Sequence, residues 1–586
     1  MDNKGYSRRE FIKRQSLAGA GALLALNTPG ILLGKSPNSG LFSQNGRETL
    51  QYFDALTRIG PRILKHPGEL WSLEHLNREL DYCSISGALV SHTQSLWYDA
   101  MHANLELSEM LKEYDHLFPV WNVHPHHGGE IPEPTELLRL MRQHNVRAVT
   151  IYPQSNRWDW KHQANLGLFR RLSDNRTLVI TSAEELGGYD EMGEFLSRFP
   201  NLPVLMTGGN WSDQRYIIPL LKSHKNLHIT FERLQINLGI EYYYREGLID
   251  QIVFGTNAPA MAAGPHRTYV DYSDVPREAL EKVAGGNLTR LLGGLRPPAT
   301  RENREEDELM RAVRRGQPVP NPILDMHMHI LDEGLNGAGV HYRMLDGGPK
   351  GVFDLIGRFG NVGGGIMSWN GVVSADAESG FETVSNALDV APRGYWGLAT
   401  FDPVHFTKEQ LNQRVREIYQ DRRLIGMKPY HYYGTEYHDP VYDGWWEYGN
   451  ERNFYALIHR TRQDGLEVET LAEKYPNVRW VIAHAGGSYE WADIAIQAMQ
   501  KFPNVYAELT FTSVPGGVID YLVQHVGEDR ILYGSDLPMR DPRQQLGWVI
   551  FAQIPTEVKR KILAANAYEV IRPCLDRLPE HNRPRI

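Results

Sequence analysis

The chain has 586 residues, 41% of them hydrophobic and 23% charged, an ordinary globular composition long enough for more than one large core. A net charge of −9 over that length is mild and argues against a nucleic-acid partner. The two cysteines, Cys83 and Cys574, stand in unrelated contexts, which excludes a disulfide framework and a cysteine-rich metal site.

The N-terminus carries an address. "SRREFIKRQSLAGAGALLAL" opens with Ser7, Arg8, Arg9, Phe11, Ile12 and Lys13 and runs into a weakly apolar, Ala/Gly-rich stretch. Residues 1–34 resemble a twin-arginine export signal. The apolar stretch is too short and too Gly-rich to span a bilayer, and no other segment approaches the ~18 apolar residues that a span needs. The expectation is a periplasmic or otherwise extracytoplasmic protein with no membrane span.

From 45 to 296, short β-branched runs alternate with helical patterns. "QYFDALTRIG", "LFPVWNVHP", "VRAVTIYP", "TLVITS", "LPVLMTGGNW" and "QIVFGTNAP" read as strands, followed by helical "EALEKVAGGNLTRLLG". Residues 297–320 are Pro-flanked and rich in charge, and read as a linker containing one solvated helix. From 321 to 578 the order repeats, with strands "ILDMHMHI", "GYWGLATFDP", "LIGMKPY", "FYALIHR", "VRWVIAHAGG", "VYAELTFT" and "RILYGSDLPM", then helical "TEVKRKILAANAYEVIRP". Alternating βα units in two stretches of barrel length predict an α/β chain of two tandem (β/α)8 TIM-like barrels, arisen by duplication.

Strand ends of such a barrel converge on one mouth. In the second half the polar residues collected there are His327, His329, Lys428, His459, His484 and Asp536. His327 and His329 fall on one face of a strand, which is how two imidazoles are aimed at one ion. Several histidines with one aspartate suit one divalent ion, zinc first and manganese as the alternative, with an open position for water.

Taken in order, "DMHMH", "GMKPY", "ALIHR", "IAHAGG" and "YGSDLP" resemble the amidohydrolase superfamily, in its amidohydrolase-related (amidohydrolase 2) branch, over residues 320–575. The resemblance implies an ion held by His327, His329, His459 and Asp536, with His484 as the polarising or acid/base group beside it. Such an ion would lower the pKa of a bound water toward neutrality. Asp536 would accept that proton and return it to a leaving group, and His484 would hydrogen-bond a developing oxyanion. Lys428 would either contact substrate or, carboxylated, bridge two metals. The resemblance allows two reaction classes. One is hydrolysis of a small cyclic or carboxylated compound (lactone, ester or amide). The other is lyase chemistry, as dehydratase, hydratase or decarboxylase, on a uronate-type sugar or an aromatic acid.

The first half keeps none of these ligands. Leu56 and Arg58 are matched to His327 and His329, Thr181 to His459, Thr207 to His484, and Asn257 to Asp536. Leucine cannot ligate a metal, so this barrel is expected to be metal-free and inactive. Its histidines in "NVHPHHGG" read as part of a polar loop. Barrels of this branch often pair, so an oligomer is an open expectation. The inactive copy would support the active one, cover apolar surface, or bind carbohydrate by itself.

Substrate contacts are expected from Tyr430, His431 and Trp446 in the aromatic segment "KPYHYYGTEYHDPVYDGWWEYGNERN", which follows strand 4. Packing against the inactive barrel is the alternative for that segment. Arg540, or its rival Arg343, is placed to clamp a substrate carboxylate.

Overall fold

Why the chain forms two rings is visible in its strand registers. In the computed structural model, which describes residues 49–63, 66–299, 303, 305–332, 343–459 and 466–586, the first half contributes a parallel sheet in sequence order. Its strands are β1 (Phe53–Ile59), β2 (Gly87–His92), β3 (Leu117–Asn122), β4 (Ala148–Thr150), β5 (Leu178–Thr181), β6 (Val204–Met206) and β7 (Leu227–Ile229). The second half forms β8 (Ile323–Ile330), β9 (Asn361–Ser368), β10 (Tyr395–Ala399), β11 (Leu424–Met427), β12 (Tyr455–Ile458), β13 (Arg479–Ile482), β14 (Val505–Leu509) and β15 (Ile531–Tyr533). Helices connect the strands, as parallel pairing demands. The export signal expected at 1–34 lies outside the described residues. No helix among the described residues is long and apolar enough to cross a membrane.

Both rings close. In the second, Asp536 donates its backbone N–H to His327 O (2.7 Å) and His329 donates to Leu537 O (2.6 Å). In the first, Asn257 donates to Leu56 O (2.7 Å) and Arg58 to Ala258 O (3.1 Å). The repeat extends to finer detail. Buried Asp54 accepts the amides of Leu56 and Thr256, as buried Asp325 accepts those of His327 and Ser535. Each barrel ends in a π-helical turn, Lys282–Gly286 or Lys561–Ala565. The asparagine after each turn spans two carbonyls, Asn287 on Ile249 and Ile252, Asn566 on Glu528 and Ile531. The two halves are therefore tandem TIM-like barrels of one design.

The barrels meet through the loops at their strand C-termini and through two helices, Gly264–Asp271 and Pro542–Ile550. Gly264 makes the close crossing feasible, since a Cβ there would meet Phe551 and stand 2.9 Å from Gly547 O. At the seam the buried Arg543 bonds Asp541 (Nε–Oδ1 2.7 Å), Ser273 (3.0 Å) and Glu241 (Nη2–Oε2 3.1 Å), and lies 4.8 Å from the Tyr269 ring centroid.

Several elements differ from the sequence expectation: β2 and β7 are strands it does not contain, and "QIVFGTNAP" forms only isolated bridges, Ile252 with Ile229 and Ala258 with Thr57. Strand β9, "NVGGGIMS", was not anticipated because glycine disfavours strands in isolation. Here the glycines permit close backbone approach: a Cβ on Gly363 would collide with Gly394 O, and one on Gly364 with Asp325 O. The linker helix, Glu308–Arg314, is not solvated: Leu309, Met310 and Val313 are buried, and Asp307 at its N-cap holds Lys559 (2.8 Å). Its charges face outward while its apolar stripe joins the core. The aromatic segment after strand 4 also turns inward. Tyr433, Tyr437, Tyr442, Trp445 and Trp446 are all buried, and its contacts are with its own barrel.

Candidate metal centre

Strand β8 delivers His327 and His329 to the mouth on one face, and both are buried. Asp536 follows β15 in the left-handed backbone region (φ 55°), sparsely populated for non-glycine residues and tolerated best by Asp and Asn. That conformation lets its amide close the ring while its carboxylate turns inward. His329 Nε2 lies 3.4 Å and His327 Nε2 3.6 Å from Asp536 Oδ1, and the three ligand atoms all fall within 4.8 Å of one another.

The surroundings prepare these donors. His327 Nδ1 faces Glu508 Oε2 at 3.3 Å; in the tautomer whose Nδ1–H donates to Glu508, the Nε2 lone pair is turned toward Asp536. Burial, reinforced by the Lys428 ammonium, drives the His327 pKa well below its ordinary value and that of His329 to about 3. Both imidazoles are therefore neutral, the state that can ligate a metal. Arg540 pairs with Asp536 Oδ2, leaving Oδ1 on the histidine side. Two neutral imidazoles and one carboxylate oxygen around a common point, with the Glu508 carboxyl hydrogen-bonded behind one imidazole, fit a divalent ion of the zinc or manganese type.

His484 also sits at positive φ (63°). Its amide donates to Glu508 Oε2 (3.1 Å), and its Nδ1 meets Thr510 O (2.9 Å) and Thr510 Oγ1 (2.7 Å). Thr510 Oγ1 gives its own proton to Glu508 (3.0 Å), so the network assigns the imidazole proton to Nδ1 and places its acid/base chemistry at Nε2. Lys428 is fully buried with Nζ 3.4 Å from His327 Nε2. Burial lowers the Lys428 pKa and raises that of Glu508, with the attraction between them opposing both shifts.

The other expected residues are distributed differently. His459 stands beside His484, ring centroids 4.9 Å apart, and outside the triad of converging ligand atoms. Tyr430 and His431 frame it, with His431 stacked on His459 at 4.6 Å and Tyr430 edge-on at 5.0 Å. Trp446 is not a pocket wall: it is fully buried, donates Nε1–H to Tyr437 O (2.8 Å) and stacks on Trp445. Arg343 lies over Tyr242 of the first barrel, 5.3 Å from the ring centroid, and is no rival to Arg540. Arg540 itself is engaged by Asp536 and by Thr512 Oγ1 (2.7 Å), because a buried guanidinium pairs with the nearest carboxylate. Glu508, missed in the sequence, is buried at the centre of the network. Its signal was an acid in an otherwise apolar strand, "VYAELTFT".

The registers also correct the matching of the two halves. Thr207 donates to Thr181 O as Ala483 donates to Ile458 O, so Ser182 stands at the position of His459 and Gly208 at that of His484. Each sequence match was one residue early. Gly208 has φ +75°, the conformation of His484, and its amide likewise donates to a carboxylate, Glu232 Oε1 (2.8 Å). The first barrel thus keeps the backbone of the site without its side chains. Among its described residues no histidine or acid gathers into a metal-holding group, and His124, His126 and His127 lie in a loop and a short 3-10 turn.

The amidohydrolase family model matches residues 324–572. Among solved structures, the chain is similar to 5-carboxyvanillate decarboxylase from Sphingomonas paucimobilis, at 12% identity over 42% of this chain and 99% of that one (TM-score 0.34). Dihydroxybenzoic acid decarboxylase from a Polaromonas species matches at 15% identity over 43% and 97% (TM-score 0.32). Dihydroorotase from Campylobacter jejuni matches at 13% over 44% and 87% (TM-score 0.32). No curated protein matches the chain in sequence. The family match spans the barrel that carries His327, His329 and Asp536.

Proposed function

We propose that the second barrel is a metal-dependent hydrolase acting on a small cyclic or carboxylated substrate such as a lactone, ester or amide. The observation that carries this reading is the convergence of His327 Nε2, His329 Nε2 and Asp536 Oδ1 beside His484 at the barrel mouth. A divalent ion bound there supplies Lewis acidity and brings the pKa of water toward neutrality. Zinc is the first choice of ion and manganese the second. Asp536 would accept a proton from the attacking water and deliver it to the leaving group. Arg540 fixes the carboxylate through Oδ2. His484, oriented through Nδ1 by Thr510, presents Nε2 as the group that meets charge developing on the substrate oxygen. Tyr430 and His431, packed on His459, would meet the substrate on that side.

The test is metal analysis followed by product analysis. One ion per chain, lost in His327→Ala, together with metal-dependent release of acid from a lactone or ester panel, is the expected result. Metal-free protein overturns the reading. So does metal-dependent formation of an unsaturated uronate or of carbon dioxide in place of hydrolysis, which would make the barrel a lyase.

We also propose export through the twin-arginine route, on the run Ser7-Arg8-Arg9 with Phe11, Ile12 and Lys13. A reporter fused to residues 1–34 should be exported, and Arg8→Lys with Arg9→Lys should abolish it. Unchanged export in the double variant removes the proposal.

A further inference from the structure

We propose that the mouth of the first barrel is a binding site for a small organic carboxylate, built on Arg58. The ring-closing hydrogen bonds put Arg58 where the second barrel has His329: Arg58 donates to Ala258 O as His329 donates to Leu537 O. Carrying the registers around the ring sets Thr150 at the position of Lys428 and Tyr152 at that of Tyr430. The degenerate barrel has therefore exchanged a metal ligand for a fixed positive charge at the same point of the mouth.

Arg58 is half-buried, and its guanidinium donates to Tyr152 OH at 3.2 Å. Among the described residues it has no carboxylate partner. A guanidinium offers several N–H donors in a planar fork that matches a carboxylate, and one phenol leaves most of that fork unanswered. A second, independent group, two residues before Tyr152, asks for a ligand. Thr150 is 5% exposed, and its Oγ1 has no hydrogen-bond partner among the described residues. An orphaned buried hydroxyl is costly unless something arrives to meet it. Glu232, a buried acid of the same barrel, accepts the Gly208 amide, and burial pushes its pKa up, toward the neutral form.

Half-buried Leu56 points the same way as Arg58, two residues earlier on β1. It removes any metal ligand from the place of His327 and offers apolar contact to the body of the ligand. An apolar neighbour beside a cationic fork favours an organic carboxylate over inorganic phosphate. The site depends on the first barrel alone, so it stands or falls separately from hydrolysis in the second.

The test is fluorine NMR of 4-fluorobenzoate titrated with the full chain. Wild type should broaden the ligand signal saturably. Arg58→Gln should weaken that binding about tenfold, the loss expected for a charge-assisted hydrogen-bonded pair. Thr150→Val, nearly isosteric, should weaken it several-fold with an unchanged thermal midpoint, and keeps the test open if Arg58→Gln fails to fold. Inorganic phosphate should compete poorly. Binding that is unchanged in both variants, or lost in His329→Ala instead, overturns the proposal, and so does phosphate displacing fluorobenzoate at equal concentration.

Discussion

The backbone N–H of Ala262 donates to the carbonyl of Val514 at 3.0 Å, across the seam between the two barrels. Seen from the other barrel, Asp541 donates to Gln235 O at 3.3 Å. In both cases the donor lies in the segment after the ring-closing residues, and the acceptor lies in the loop after the seventh strand of the opposite barrel. The contact is nearly self-complementary, as in a two-fold dimer, though it joins two halves of one chain. Because those loops also carry Thr510, Thr512, Asp536 and Arg540, the first barrel buttresses the mouth of the second.

That buttress has a charged centre. Burial pushes the Glu241 carboxyl up, but Arg543 outweighs it and holds the group below its usual range. Arg543→Met leaves Glu241 and Asp541 buried without their cation, and breaking such a group typically costs ~3–5 kcal/mol. The expected outcome is a lower urea midpoint, with faster hydrogen exchange in Gly264–Asp271 and Pro542–Ile550. An unchanged midpoint would mean that the seam does not depend on this cation.

The crossing of those two helices makes a steric prediction. A side chain at Gly264 collides with Phe551 and Gly547 O. Gly264→Val should destabilise by ~1–3 kcal/mol through overpacking. Gly357→Ala, where a Cβ meets nothing within 4 Å, should leave the melting temperature within a degree or so.

Glu508 is expected to govern metal affinity without touching the ion. Glu508→Gln replaces the carboxyl behind His327 Nδ1 and weakens the bond to the His484 amide. Calorimetric titration with zinc or manganese should show affinity lower by ~10–100-fold. Glu232→Gln, in the barrel without ligands, should leave it unaltered.

Two buried histidines predict acid sensitivity in the first barrel. Burial lowers the pKa of His228 (with a smaller push from Arg290) and of His266 from 6.5 to about 4. Below pH 6.5 the unfolded chain takes up protons that the folded chain refuses, so stability falls as pH drops from 6.5 toward 4. Each group contributes a slope of up to ~1.4 kcal/mol per pH unit. Thermal midpoints recorded between pH 7 and 5 should fall less steeply for His228→Gln than for wild type. Parallel profiles would count against a neutral buried imidazole.

The sequence by itself determined the architecture and half of the centre. Alternating βα patterns, repeated on either side of 297–320, identify two barrels, and the strand-end positions of His327, His329 and Asp536 are a matter of local periodicity. Only the tertiary structure decided which neighbours complete them. Glu508 comes to His327 from across the ring, and no local pattern encodes which distant strand an imidazole will face. Trp446 and Arg343 belonged to segments near the mouth, but burial sent one into the core and the seam drew the other to Tyr242. The one-residue offset at Ser182 and Gly208 was hidden for a similar reason. Residue types can be aligned by eye, whereas the face on which each side chain emerges is set by hydrogen bonds between strands far apart in the chain.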